Sequence, residues 1–435
     1  MCNLRRVLGV AAALGIAGFL VLGIVPAASA APVSIVINGM TFTADDSDPA
    51  AGATLTGYLP GPTAVTIPTA IPIGAQIYEV SAIAQFAFYN LGLTSVILPG
   101  QLDSIGDDAF ANNALTAITL PSTLTTVGTE AFLNNQIVTV AIPDSVTTLG
   151  AEAFLQNALT SVSIGSGLTT LAFDVFASNH LSAVDIPPGV TTIGSQAFFD
   201  NALTTITVVG SVTSIGSFAF GANHLTSVNL GAPLASIAYS AFNTNELTSV
   251  TLPPTLTSMA DAVFIGNPDL ASVVFTGLPP TTFFGAGPSS SLGTAPGIVV
   301  GYLTGLSAAE TPGGFPNPWQ GFATQELVTT TFDMAGHGAQ LDPQLSPIGD
   351  APTKPVAPTQ AHWIFKGWYT DAALTVPADF TDALTTNQTL FARWDPELAV
   401  TGGTINYAAL WAGILSALVG AGLVFWSRRR HAVDR

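Results

Sequence analysis

Phenylalanine recurs every 22 residues along this chain, at Phe88, Phe110, Phe132, Phe154, Phe176, Phe198, Phe220, Phe242 and Phe264. A fixed period of this length means one supersecondary unit copied along an axis, each copy burying its apolar face only against its neighbours. The remaining positions keep the same register: Leu115-Thr116-Ala117-Ile118-Thr119-Leu120-Pro121 returns as Leu247-Thr248-Ser249-Val250-Thr251-Leu252-Pro253. The unit reads L-T-x-V-x-L-P-x-x-L-T-x-I-G-x-x-A-F-x-x-N.

Within the unit, Val96 and Leu98 alternate with Ser95 and Ile97, the period-two pattern of a short strand with one face on the core. Asparagine stands three residues after the phenylalanine at Asn113, Asn135, Asn157, Asn179, Asn201, Asn223, Asn245 and Asn267, and only the first copy departs, with Leu91. A side-chain amide there can bond backbone groups at a tight turn and pair along the stack. The Phe and Asn ladders are therefore read as structural.

This consensus resembles the BspA-type leucine-rich repeat. The resemblance implies a leucine-rich repeat β-solenoid of 22-residue coils over 80–270, on an extracellular protein of the kind that includes adhesins. Residues 31–79 open with the strand pattern Val33-Ser34-Ile35-Val36-Ile37 and are expected to form an N-terminal cap. Residues 271–325, rich in Pro, Gly and Ser, are expected to be a C-terminal cap and linker, because an uncovered end coil would expose core and strand edges.

A second module is expected over 326–395. Its Phe365-Lys366-Gly367-Trp368-Tyr369-Thr370-Asp371 and terminal Phe391-Ala392-Arg393-Trp394 resemble the Listeria-Bacteroides repeat, which implies a small β-rich, β-grasp-like domain. Trp368 and Trp394 are expected in its core, since so small a domain needs large buried side chains.

The two ends of the chain point to its location. Arg5-Arg6, the uncharged run Val7–Val25 and the small residues Ala28-Ser29-Ala30 read as a secretory signal peptide over 1–30, cleaved after Ala30. The lone Cys2 lies before that run, so the mature chain has no thiol or disulfide. At the other end, Ala408–Trp426 is apolar and about long enough to span a bilayer, with Arg428-Arg429-Arg430 behind it. Alone it is a transmembrane anchor. Preceded by Leu398-Ala399-Val400-Thr401-Gly402, residues 396–435 resemble an LPXTG-type sorting signal in its LAXTG form. That resemblance implies a class E sortase as a partner and attachment of Thr401 to peptidoglycan in the wall of a Gram-positive bacterium.

The formal net charge is −18, and between residues 31 and 401 the only Lys or Arg residues are Lys354, Lys366 and Arg393. A chain so short of positive charge is not a nucleic-acid binder. Asp45-Asp46-Ser47-Asp48 could offer oxygens to calcium but lacks a calcium-loop spacing, and is read first as an acidic turn. The mature chain offers His180, His224, His337 and His362 with no G-x-S-x-G or H-E-x-x-H context. His180 and His224 fall two coils apart, roughly 10 Å at one strand spacing per coil, too far for an easy shared metal. The chain is read as a non-enzyme with no cofactor or metal. Its expected role is a wall-anchored binding or adhesion surface for an unidentified protein or glycan; the alternative is a structural envelope component with no specific ligand. The exposed strand positions Ile97, Thr119, Ala141, Ser163, Asp185, Thr207, Asn229 and Thr251 are mostly small, which favours weak or multivalent contacts.

Overall fold

The computed structural model describes residues 32–397 apart from Asp46, Ser47 and Ser289. The expected signal peptide with Ala28 and Ala30, the sorting residues Leu398–Gly402 and the apolar run Ala408–Trp426 lie outside the described residues, as does part of the acidic turn. The chain divides into two compact units, Met1–Gln325 and Glu326–Arg435.

The first unit is a β-solenoid. Two rows of short parallel strands run along it, one per half-repeat. The I-G half pairs Ser104–Ile105, Thr126–Val127 and Thr148–Leu149 in one run, and Thr170–Leu171 through Ser258–Met259 in another, each residue opposite the one 22 positions on. The V-x-L half gives Ser95–Ile97, Thr139–Ala141, Ser161–Ser163, Thr205–Val208, Ser227–Leu230 and Ser249–Leu252, with the intervening 117–119 and 183–186 not assigned as strand. Glycine after the strand reflects close approach of coils: a Cβ on Gly128 would lie 2.5 Å from the Asp107 backbone nitrogen, and one on Gly150 would lie 2.4 Å from the Gly128 carbonyl carbon.

The nine phenylalanines stack ring on ring along the core, with centroids 5.0–5.9 Å apart and planes within 19° of parallel. None is more than 1% exposed. Beside them runs the asparagine row, and each amide clips its coil to the one before. Asn179 Oδ1 accepts the Leu159 N–H (3.0 Å), and its Nδ2 donates to the carbonyls of Phe154 (2.9 Å), Phe176 (3.1 Å) and Ala177 (3.0 Å). The amides bond to backbone groups rather than to each other, so buried turn groups of both coils are satisfied at once. The first repeat needs no such residue of its own, because Asn113 already caps Leu93 N–H (2.9 Å) and the Phe88 carbonyl (2.8 Å).

The turn carrying each phenylalanine has left-handed residues two positions before and two after it, such as Asp108 and Asn112, Glu130 and Asn134, Asp174 and Ser178. Alternating conformations turn successive peptide groups the same way. The N–H groups of Asp174, Phe176 and Ser178 donate to the carbonyls of Ser195, Ala197 and Phe199 on the next coil, and the other coils repeat this in the same direction.

At the N-terminal end, antiparallel strands Val33–Ile37, Met40–Ala44 and Ala53–Tyr58 lead to Gln76–Ile83, which pairs in parallel with Ser104–Ile105. Tyr58 covers the first ring, Phe88, at 5.5 Å. At the other end the stacking continues past residue 270: Ser272–Phe275 pairs with Ser249–Leu252 and then with Val299–Leu303. Trp319 packs edge to face on both Phe275 and Phe315 over this end, and those two rings meet at a tilt of 43°.

The second unit is a four-stranded sheet in the order Gln344–Pro347, Ala323–Asp333, Gln388–Pro396, Trp363–Tyr369. The central pair is parallel and the outer pairings antiparallel. Its core is Phe332, Met334, Trp368, Leu390 and Ala392, with Trp394 packed partly buried against them.

Candidate interaction surfaces

Side chains free to meet a partner are those the coil does not need for itself. Ile97, Thr119, Ala141, Ser163, Asp185, Thr207, Asn229 and Thr251 are all exposed, as alternation along the strand requires. Some neighbouring hydroxyls are already spent on the preceding coil: Thr160 and Thr226 donate to the carbonyls of Val138 (3.4 Å) and Thr204 (3.3 Å). That face carries mostly small side chains, with clefts of about 360 Å³ beside Ser163 and Asp185 and about 300 Å³ beside Asp185 and Thr207.

The turn ridge is different. Two residues before the phenylalanine, the column reads Phe86, Asp108, Glu130, Glu152, Asp174, Gln196, Phe218, Ser240, Ala262, so four successive coils hold an acid at one place. Burial, Glu130 and Asp107 raise the Asp108 carboxyl above its usual range. Asp174, only 8% exposed and with Oδ1 lacking a hydrogen-bond partner, is pushed up to about 6 by burial first and by Glu152 second.

Beyond the acids the ridge turns aromatic. Phe199 meets Phe218 edge to face at 6.2 Å, and Phe218 meets Tyr239 in the same way at 5.2 Å, so one ring from each of three coils forms a continuous chain. Tyr239 is 43% exposed. Between Phe199 and Asn243 in the adjacent column stands Gly221, where a Cβ would lie 2.0 Å from Asn243 Oδ1. That oxygen is buried and has no hydrogen-bond partner. None of these residues was singled out from sequence. Aligning the copies in columns and asking which columns hold large or charged side chains would have found them, since the consensus hides what varies.

The histidines are turn residues. His224 Nδ1 lies 2.9 Å from Glu246 Oε1 on the next coil, with both side chains well exposed, and His180 is exposed two coils earlier. Among the described residues no group of three or more His, Cys, Asp or Glu is placed to hold a metal ion. In the second unit Trp368 is buried, and Trp394 donates its indole N–H to the Met334 carbonyl at 3.1 Å.

Comparison with known proteins matches 81–204 and 169–282, in six copies, to the family described as BspA type leucine rich repeat region. Residues 329–393 match the Listeria-Bacteroides repeat domain. Among solved structures the chain is similar to a leucine-rich repeat protein from Bacteroides ovatus ATCC 8483 (20% identity, 63% of this chain and 80% of that one, TM-score 0.46). It is also similar to a leucine rich cell surface protein from Faecalibacterium prausnitzii A2-165 (21% identity, 63% and 90%, TM-score 0.39). A leucine rich repeat protein of T. pallidum gives 20% identity over 44% of this chain and 89% of that one, with a TM-score of 0.29. A 68-residue stretch is 38% identical to a Gly-rich membrane protein of Evansella cellulosilytica, covering 15% of this chain and 8% of that relative's length. Residues 81–282 are thus a BspA-type leucine-rich repeat region, and residues 329–393 of the same chain are a Listeria-Bacteroides repeat domain.

Proposed function

We propose that this is a surface protein fixed to the wall of a Gram-positive bacterium, whose solenoid is a binding surface for a glycan or protein. The observation that carries the binding role is the Phe199–Phe218–Tyr239 chain, an aromatic ridge that runs unbroken across three coils. Aromatic side chains supply large contact area at little entropic cost and dominate interface energetics. Attachment rests on the sequence: a class E sortase would cleave between Thr401 and Gly402 and pass the Thr401 acyl group to a peptidoglycan amine.

Two experiments test the two halves. Muramidase should release the protein from cells while detergent should not; full detergent extraction would reduce the anchor to a membrane span. On arrays of glycans and surface proteins, the wild-type chain should retain a ligand that Phe218→Ala loses by tenfold or more. If both chains give the same profile, the ridge is not the contact. The small side chains of the strand face support the second reading, a structural envelope component, and an array with no ligand for either chain would favour it.

A further inference from the structure

The second unit contains a cleft of about 350 Å³, lined by Lys354, Phe365, Lys366, Trp368, Tyr369 and Phe380 among others. Its volume lies in the range of small-ligand sites. Its charge is unlike that of the rest of the chain. Against 27 Asp and Glu overall, no carboxylate lines it, and it holds two of the three Lys or Arg residues found among the described residues. Lys366 already has a carboxylate, Asp395 Oδ2, at 3.9 Å. Lys354 forms no salt bridge with any described residue, and its ammonium sits 5.9 Å from the centre of the Phe380 ring.

A second observation points to a ligand independently. Trp368 is 4% exposed, and its indole N–H has no hydrogen-bond partner. Buried tryptophan N–H groups ordinarily find an acceptor, as Trp394 does here with the Met334 carbonyl. A buried donor in the wall of a carboxylate-free, lysine-bearing cleft is matched by a molecule that brings acceptors and negative charge. The flanking rings of Tyr369, Phe365 and Phe380 also offer flat apolar faces, and the C–H face of a pyranose packs on such surfaces. We propose that this cleft binds a carboxylated sugar: the carboxylate lies against Lys354, a ring oxygen or hydroxyl accepts from Trp368, and the sugar face rests on the aromatic walls. This site is independent of the solenoid ridge.

The full chain, held in mild detergent, would be titrated with glucuronate, muramate, glucose, inorganic phosphate and a poly-glutamate peptide by calorimetry. Indole N–H resonances would be followed in parallel by nitrogen-15 NMR. Glucuronate or muramate should bind and move one indole resonance downfield, with glucose at least tenfold weaker. Lys354→Gln changes an exposed side chain, so it should fold normally and weaken carboxylated-sugar binding about tenfold, some 1.4 kcal/mol, and Lys354→Arg should restore it. The proposal is overturned if no indole resonance moves, if glucose binds as well as glucuronate, if Lys354→Gln binds like wild type, or if phosphate or the acidic peptide binds more tightly than either acidic sugar.

Discussion

The repeat region and the C-terminal module solve the same problem, burying aromatic rings and backbone polar groups in a β-rich body, in opposite ways. In the solenoid each solution is found once and copied: one ring per coil on the stack, one asparagine per coil across the joint. Every buried asparagine of that row is fully engaged. The module has no period. Its parallel central pair joins Thr330–Asp333 to Gln388–Phe391, its core is five unlike side chains, and one buried indole is left unpaired. Repetition satisfies the columns that recur in every copy, because a defect there would be copied; buried groups are left unpaired at positions that do not repeat, among them Asp174 and Asn243 in the solenoid and Trp368 in the module, and an unsatisfied group is where a ligand has something to gain.

Proteolysis draws the sharpest line between the two. Between residues 31 and 401 trypsin has only Lys354, Lys366 and Arg393, and Pro355 blocks the first. Mild denaturation followed by trypsin should therefore cut only within the module and leave a large acidic fragment carrying every repeat. Lys366 and Arg393 left uncut while circular dichroism shows the repeats already melted would reverse the expected order of stability.

Within the solenoid, Phe176→Ala should cost about 3–5 kcal/mol in a denaturant melt, the range for emptying a buried aromatic site. Phe88→Ala, bordered on one side by Tyr58 rather than by another ladder ring, should cost less. An unmoved Phe176→Ala midpoint would dissolve the idea of a shared ring stack. Asn179→Ala should follow at roughly 2–3 kcal/mol, because it strands the buried Leu159 N–H and the Phe154 carbonyl, and each unsatisfied buried group costs about 1–3 kcal/mol. A cost near zero would mean that water replaces the amide.

The smallest effect belongs to Asp174. Its carboxyl is raised to about 6 from 3.8, so the folded state holds the proton more tightly than the unfolded chain. Folding is then favoured below about pH 4, and that contribution is lost as pH rises through 6. Asp174→Asn should stabilise the protein at pH 7 by roughly 1 kcal/mol after allowing for solvent screening, and leave it unchanged near pH 4. Equal shifts at both pH values would assign the effect to something other than the carboxylate.

How much of this was legible follows the same divide. The Phe and Asn columns could be read directly, because a strict period leaves each buried position one environment. The left-handed turn residues could not. Together Asp, Glu, Gln, Phe and Ser hold these positions more often than Asn does, since the ladder to the next coil, and not intrinsic preference, holds them there. The coil at Val299–Leu303 was hidden because the spacing between paired strands widens, from Ser249 to Ser272 and then from Ser272 to Val299. Extra residues are absorbed in the turns while the strands stay aligned. Trp368 was expected in a core and lies in one, but whether its N–H finds an acceptor depends on neighbours far apart in the chain.

The one-way ladder at the phenylalanine turns gives the stack an electrical sense. Three peptide groups per coil point their N–H toward the following coil, and aligned peptide dipoles add as they do along a helix. The stripe presents carbonyls to the N-terminal cap and donors to the C-terminal cap, where Ser290 supplies a carbonyl to Ala262 N–H. The two caps face opposite chemical demands and are not interchangeable: a cap rich in acceptors suits only the C-terminal end, and a solenoid of this kind can be lengthened in its middle but not run backwards.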